Sequence, residues 1–597
     1  VDWLLRQQKL VDLYAVVRHA IRVSEPRYSI KNLEQFYMPK REGEVTDAGA
    51  SIVYFAKWLD SADPEGEGAQ FLRDIEAYNF DACVTTQLLH QWLLSLKPVD
   101  LAFRAATPVD NAAESVEILT EVEQTLQRYA EKLQVAELDL SQPLAESERL
   151  NYLIYLLLDF YRRCEKPMWW QHFERLQSDV ETLLDDNECL AQLQFVEQLD
   201  TPKGKKNALL KYQYAEQDSK LSAGQSVQVL GVADAKNPEK LQSLTIESID
   251  QANGNVVLSC NKNISLPAEI PALLPKPKSF SGQLNPCLFT FADRWLAGTA
   301  QHSAVAAFLR RDLPNFRSSA QDEPYAPNPL INLNQPALPQ IMDLAARLDH
   351  SYLFIQGPPG TGKSYTGSHV ILHLLRQGHR VGVMANSHHA IHNLLDAVVQ
   401  RATAQQYPLR GCKKMTKNDP ETEYQHPSFE NISNSQDVSN STARLLAGTV
   451  YFFAHPLFAD AEQALDYLVI DEAGQVSLAN VIAAGQFCKN IILLGDQMQL
   501  AQPIQGTHPA ESGLSALEYL LQGQATIPPQ HGIFLDQTFR VHSAISSVLS
   551  THIYDGRLRS AAEADQRQLV LNAAGQQFLP YGQIGRASCR ERVSSPV

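Results

Sequence analysis

The segment from Gly357 to Ser364, GPPGTGKS, fits the pattern G-x-x-x-x-G-K-[ST]. Glycines at this spacing let successive backbone N–H groups point at phosphate oxygens, and a helix N-terminus behind them adds its positive end. Lys363 stands where it would neutralise the β- and γ-phosphates, and the Ser364 hydroxyl where it would join a Mg²⁺ shell. The expected nucleotide-binding set is Gly357, Pro358, Pro359, Gly360, Thr361, Gly362, Lys363, Ser364 and the adjoining Tyr365. Such a loop serves kinases, GTPases and motors alike.

Two more groups narrow the chemistry. LDYLVIDEAGQ delivers Asp471 and Glu472 to the end of an apolar run. Asp471 can hold the metal shell, and Glu472 can orient and deprotonate an attacking water, which a hydrolase needs and a kinase does not. NIILLGDQMQLAQP then offers Gly495, Asp496 and Gln499, close enough to sense the γ-phosphate and relay its loss. A GTPase is disfavoured further by the lack of a guanine-reading N-K-x-D.

Elements must bring these groups together. YLFI before the loop reads as a buried strand, and SYTGSHVILHLLRQG after it as an amphipathic helix closed by Gly378. Acidic groups at strand ends fit a parallel α/β sheet, whose ligands gather at the carboxyl edge.

GPPGTGKS, DEAGQ, GDQMQL and LDQTFRVHSAI together resemble the successive motifs of superfamily 1 helicases, in the branch of nonsense-mediated decay and Okazaki-fragment processing. The resemblance covers about residues 325 to 583. It implies two RecA-like domains that close on ATP and Mg²⁺ and step along single-stranded DNA or RNA, with 5′-to-3′ polarity. INLNQ resembles the adenine-reading motif, which makes Gln335 the base contact. VGVMANSHHAIHNLL resembles a strand-contacting motif, with Asn386, Ser387 and His388 as its contacts, and LLAGTVYFFAHP a second one around Thr449. TFR puts Arg540 where the second domain supplies an arginine to the γ-phosphate. A nucleotide-gated clamp that binds the strand without unwinding it is the competing reading. His389 and His392 are expected on a solvated helix face, and GCKKMTKND is either a strand-binding loop or a solvated charge run.

The opening stretches LVDLYAVVRHAIRVSEPRYSIKNLEQFYMPKREGEVTDAGASIVYFAKWL and IEAYNFDACVTTQLLHQWL resemble the C-terminal part of a RecB-like nuclease of the RNase H-like fold. Its chemistry needs several carboxylates around two metal ions. Of its closing Tyr-x-x-x-Asp motif, Tyr78 is present, but Ala82 stands four residues on. Asp81 is one residue early, a rotation of roughly 100° on a helix. Tyr78 and Asp81 are therefore read as a nuclease remnant, and the misplaced carboxylate counts against a metal site in this half.

The expected order is the nuclease part over residues 1–96, a helical connection over 97–207 and a β-barrel-like module over 208–275. A linker or stalk follows at 276–324, the first RecA-like domain at 325–525 and the start of the second at 526–583. The fold class is thus α/β, with P-loop domains, an inserted small barrel and a partial RNase H-like domain. The 597 residues suit about three or four domains. A net charge of -16 shows no global basic surface, which still allows a local basic channel. Eight scattered cysteines without a C-x-x-C pair fit a reducing, bacterial-type cytoplasm, and no apolar run reaches the length of a membrane span. The start lacks Met and reads as mid-helix, and Ile584 to Val593 resembles translated sequencing adapter. The expectation is a fragment truncated at both ends, with residues 584–597 a non-native tail. The oligomeric state is left open.

Overall fold

The computed structural model describes most of residues 13–101, 121–317 and 329–566. The chain divides into two compact units, one up to Ile118 and one from Leu119. The expected tail at 584–597, the rest of the expected second RecA-like part (567–583) and the first twelve residues lie outside the described residues.

Among the described residues the first unit is helical. Leu13–Ala20, Ala48–Leu59 and the long Ala69–Leu96 are its main elements. Ala69–Leu96 contains neither Gly nor Pro, and it stops at Lys97, where the following Pro98 disfavours a helical backbone. A small core of Val17, Leu33 and Leu89 holds these helices, and the Phe36 ring stacks on Trp92 at 5.8 Å.

The second unit contains a closed antiparallel barrel. Its strands are β1 (Leu190–Leu199), β2 (Ala208–Gln213), β3 (Ser226–Ala233), β4 (Leu241–Asp250), β5 (Asn255–Cys260) and β6 (Glu269–Pro275). They close in the order β1-β2-β5-β4-β3-β6. Period-two alternation fills the interior, with Val227 and Val229 from β3 and Val256, Leu258 and Cys260 from β5. The expected barrel boundary at residue 208 is corrected, because β1 lies in the stretch read as helical. LAQLQFVEQL is rich in helix formers, yet pairing with both β2 and β6 outweighs that propensity.

The motor-like core is one eight-stranded sheet. It comprises β7 (Tyr352–Gln356), β8 (Val381–Met384), β9 (Gly411–Lys414), β10 (Phe429–Ile432), β11 (Leu445–Gly448), β12 (Leu465–Ile470), β13 (Cys488–Gly495) and β14 (Gly532–Phe534). The order is β10-β9-β11-β8-β12-β13-β7-β14, and every pairing is parallel. Residues of YLFIQ in β7 are all buried, as a strand covered on both faces requires. Helices Ala337–Arg347, Lys363–Arg376 and His388–Ala404 contribute to the core on one face. Glu146–Leu158, Ser281–Leu296, Ala304–Arg310 and Leu478–Gly485 contribute to the other core. The helices Glu146–Leu158, Ser281–Leu296 and Ala304–Arg310, from the expected connection and stalk, therefore share a core with the sheet. Trp295 Nε1 donates to Asn151 at 2.9 Å, and Arg149 and Arg311 both reach the carboxylate of Glu511.

A second boundary is corrected here. Gly532–Phe534, expected to open the second domain at 526, instead extends the first sheet by pairing with β7. Parallel edge pairing is non-local, so the apolar run GIF alone could not say which sheet it joins.

Candidate nucleotide and strand site

The loop after β7 is held at both ends. Gly357 N donates to the Gly495 carbonyl at 2.9 Å, and Thr361 Oγ1 donates to the Pro358 carbonyl at 2.8 Å. Gly360 and Gly362 have φ of +78° and +85°, values a side chain rarely permits. A Cβ on Gly357 would stand 2.4 Å from Lys363 Cγ, so the lysine lies against the loop, where its Nζ donates to the Gly357 carbonyl at 2.9 Å.

The loop opens on a cavity of about 530 Å³. Lys363, Ser364, Glu472, Gln499 and Arg540 line it together with the loop itself. Arg540 arrives after β14. Thr538 Oγ1 donates to the Pro359 carbonyl at 2.9 Å, and Phe539 N donates to the Gly360 carbonyl at 2.9 Å.

Asp471 follows β12 and is 5% exposed. Burial, and then the neighbouring Glu472, push its carboxyl up to about 6, while Lys363 pulls the other way. Asp471 Oδ1 accepts from Glu472 N at 3.0 Å, and Glu472 itself adopts φ +50°. This left-handed turn lets two consecutive carboxylates leave the strand in different directions. The Ser364 hydroxyl and the Glu472 carboxylate line the same cavity, with Asp471 next along the chain, and oxygen donors of this kind suit a hard divalent cation.

Asp496 is buried and accepts from Tyr554 Oη at 2.7 Å and from Gln499 Nε2 at 3.3 Å. It therefore works as a bracket for Gln499 rather than as a cavity wall. Gly495 meets Leu517 and the Ala473 backbone so closely that a Cβ would lie 2.8 Å from Leu517 Cδ1. Gln335 is exposed and is not among the residues lining this cavity.

The strand-contact candidates fall on two further cavities. His388 and Thr449 line one of about 790 Å³, together with Lys414, Lys417 and Tyr451. Asn386 and Thr449 line another of about 410 Å³, against Phe160 and Tyr161. Asn386 Nδ2 donates to the Gln475 carbonyl. Ser387 Oγ caps the helix His388–Ala404 by accepting from Ala390 N at 3.1 Å. His389 is exposed, but His392 departs from the expected solvated face: it is half-buried with its ring 5.3 Å from Tyr424. The charge run GCKKMTKND also departs from a solvated face at one position, since Lys413 is fully buried.

In the first unit, Tyr78 and Asp81 lie on the helix Ala69–Leu96, and both are half-buried. Among the described residues there is no group of His, Cys, Asp and Glu that could hold a metal ion.

Some site residues were not singled out in the sequence. Asn393 lines the nucleotide cavity from an amphipathic helix, Thr538 ties its segment to the loop, and Tyr554 braces Asp496. Asn393 and Thr538 lie inside the stretches VGVMANSHHAIHNLL and LDQTFRVHSAI without being singled out there, and Tyr554 lies outside every motif; each acts through a contact made only on folding.

Residues 2–94 match the RNase H superfamily, and residues 340–569 match an AAA domain family. The DNA replication ATP-dependent helicase/nuclease DNA2 of Saccharomyces cerevisiae is 28% identical over 254 residues, which are 41% of this chain and 16% of the relative. DNA2 of Gallus gallus is 26% identical over 246 residues, 39% of this chain and 23% of that protein. The DNA polymerase alpha-associated DNA helicase A of Schizosaccharomyces pombe is 24% identical over 259 residues, 36% and 38% respectively. The chain thus spans under a quarter of the length of these DNA2 relatives. It carries a segment that matches the RNase H superfamily and a P-loop domain that matches an AAA family, and over about two fifths of its length it is similar to helicase/nucleases. No described helix is long and apolar enough to cross a membrane.

Proposed function

We propose that this chain is the ATP-hydrolysing part of a helicase or translocase on single-stranded nucleic acid, DNA in the first instance, joined to a nuclease-like segment. The observation that carries the reading is that Lys363, Ser364, Glu472, Gln499 and Arg540, from four separate stretches of sequence, line one cavity.

The proposed roles follow from position. The loop from Gly357 to Tyr365 wraps the phosphates, and Lys363 neutralises them. Ser364 and Asp471 would hold Mg²⁺, which when bound draws off charge from the β- and γ-oxygens. Glu472 takes the proton of the attacking water. Arg540 steadies charge developing on the γ-phosphate, and Gln499, braced by Asp496, registers its departure. Gln335 reads the adenine, and Asn386, Ser387, His388 and Thr449 touch the strand. Residues 325–525 are proposed as the first motor domain, with its sheet extended by β14, and the stretch beyond β14 up to 583 as the start of a second. Tyr78 and Asp81 are read as a nuclease remnant, in which Ala82 at the motif's carboxylate position counts against a second metal site. A reducing, bacterial-type cytoplasm belongs to the same reading, on the sparse cysteine usage.

The test is ATP turnover by this chain with and without an oligothymidylate. Turnover should rise with the strand, and Glu472→Gln should keep nucleotide affinity while losing about 10²–10⁴-fold in rate. Turnover that ignores the strand and survives Glu472→Gln would sink the proposal. Stimulated turnover without strand displacement would leave the clamp reading in its place.

A further inference from the structure

Lys413 is the one lysine among the described residues whose surface is wholly buried, and the contacts of its Nζ there are to a ring nitrogen and two carbonyls. It sits in β9, an interior strand paired with β10 and β11. Its Nζ lies 2.7 Å from His388 Nδ1 and 2.8 Å from the Lys414 carbonyl, with the Thr422 carbonyl at 3.3 Å. Three acceptors around one ammonium satisfy its three donors, which is what a buried lysine needs in place of a counter-ion. His388 in turn lines the 790 Å³ groove with Lys414, Lys417 and Tyr451.

A histidine whose Nδ1 is engaged has only Nε2 left to offer, and the partner at Nδ1 decides which atom carries the proton. An ammonium at Nδ1 can only donate, so it makes Nδ1 an acceptor and Nε2 the N–H donor. An N–H donor facing a groove is the polarity that a phosphate oxygen or a base acceptor requires.

We propose that Lys413 is a positioning residue for strand binding: it fixes the ring and tautomer of His388 so that Nε2–H is presented to the nucleic-acid backbone in the groove. This rests on the strand-contact reading of His388 given above. The groups around the pair are Lys414 and Asp419 on the strand end and following loop, Lys417 across the groove, and His392 on the helix, with Asp396 beyond it already accepting from Tyr424 Oη; Glu430 on β10 is in register with Cys412, on the other face. β11 contributes no titratable side chain.

The arrangement is also pH-dependent in a definite direction. Burial, and then Lys414, bring the Lys413 ammonium down to about 7, and burial with Lys413 brings His388 down to about 4. His388 thus stays neutral through the working range, and Lys413 is the group that changes. As pH rises through about 7 the ammonium is lost, the neutral amine can accept from Nδ1 as well as donate to it, and Nε2 is no longer held as the N–H donor. Affinity for a polyanion should therefore fall with rising pH.

The experiment is fluorescence-anisotropy titration of a fluorescein-labelled oligothymidylate onto the full chain, from about pH 6 to about pH 8. The variants are His388→Ala, Lys413→Met and the two combined, with nucleotide affinity and melting temperature followed in each. At the low end of that range each single variant should weaken binding by the same factor, about threefold to tenfold, and the double variant should be no worse than either. The fall of affinity with pH should vanish in both single variants. An ordinary histidine titrating elsewhere would leave that fall intact in Lys413→Met. Should Lys413→Met fail to fold, His388→Ala alone decides, because a lysine acting by charge rather than through the ring would keep the pH step without His388. Additive losses, or a Lys413→Met protein that binds like the wild type, would overturn the positioning role while leaving the groove as a strand site. Unchanged binding by His388→Ala would overturn the strand reading of the groove itself, and this inference with it.

Discussion

Gly360 shows how much one missing side chain can carry. Its φ of +78° already disfavours any other residue, and a Cβ there would lie 2.3 Å from Arg540 Cβ and 2.8 Å from Thr538 Oγ1. Gly360→Ala should therefore move the arginine more than the phosphate loop. We expect turnover to fall at least about tenfold, or about 1.4 kcal/mol on the barrier, with a smaller change in nucleotide affinity. Steady-state ATPase measurements set beside nucleotide titration check this. A larger loss in affinity than in turnover would mean that the loop, and not the arginine, had shifted. At this scale the sequence was informative wherever chemistry is local. GPPGTGKS and DEAGQ carry their meaning in consecutive residues, and the cavity gathers Lys363, Ser364 and Glu472 from them. Arg540 was found only through resemblance, since TFR has no intrinsic claim on phosphate. Lys413 was illegible, because a lysine in a run of three basic residues over five positions reads as surface until strands close on both sides of it.

Elements were read correctly where periodicity was clean and misplaced where partners are distant. β7 and the helix after it follow directly from an apolar run, a turn and an amphipathic repeat. β1 was missed because its burial alternates only over its first residues, and its Gln and Glu content favours a helix in isolation. The layer beneath the sheet was equally unannounced. Arg149 Nη1 reaches Glu511 Oε2 at 2.8 Å, Arg311 binds the other oxygen, and Arg311 Nε donates to the Tyr519 carbonyl at 2.8 Å. Glu511 thereby joins the helix Glu146–Leu158 to the segment after Ala304–Arg310. Glu511→Gln removes the charge that both arginines share in a partly buried place. It should lower stability by about 1–3 kcal/mol in denaturant unfolding, without a change in nucleotide affinity. A loss of nucleotide binding at full stability would show instead that this network reaches the cavity.

On the scale of the whole molecule, the acidic balance of -16 and a groove lined by Lys414 and Lys417 are compatible, because a local pair of basic groups suffices where the strand is proposed to lie. Every residue lining the nucleotide cavity belongs to the second unit, between Pro358 and Arg540. Removing residues 1–118 should therefore leave nucleotide affinity within about twofold, as calorimetric titration would read. A large loss would mean that the first unit supports the cavity. The hook between the phosphate loop and the arginine segment has a last consequence, for the sequences that could inherit this design. It is formed on main-chain carbonyls, those of Pro359 and Gly360, which any residue would supply. Descendants of this chain are free to drift at much of the loop's surface and keep the linkage. The linkage itself is pinned at two places: the hydroxyl of Thr538, and the bare Cα of Gly360.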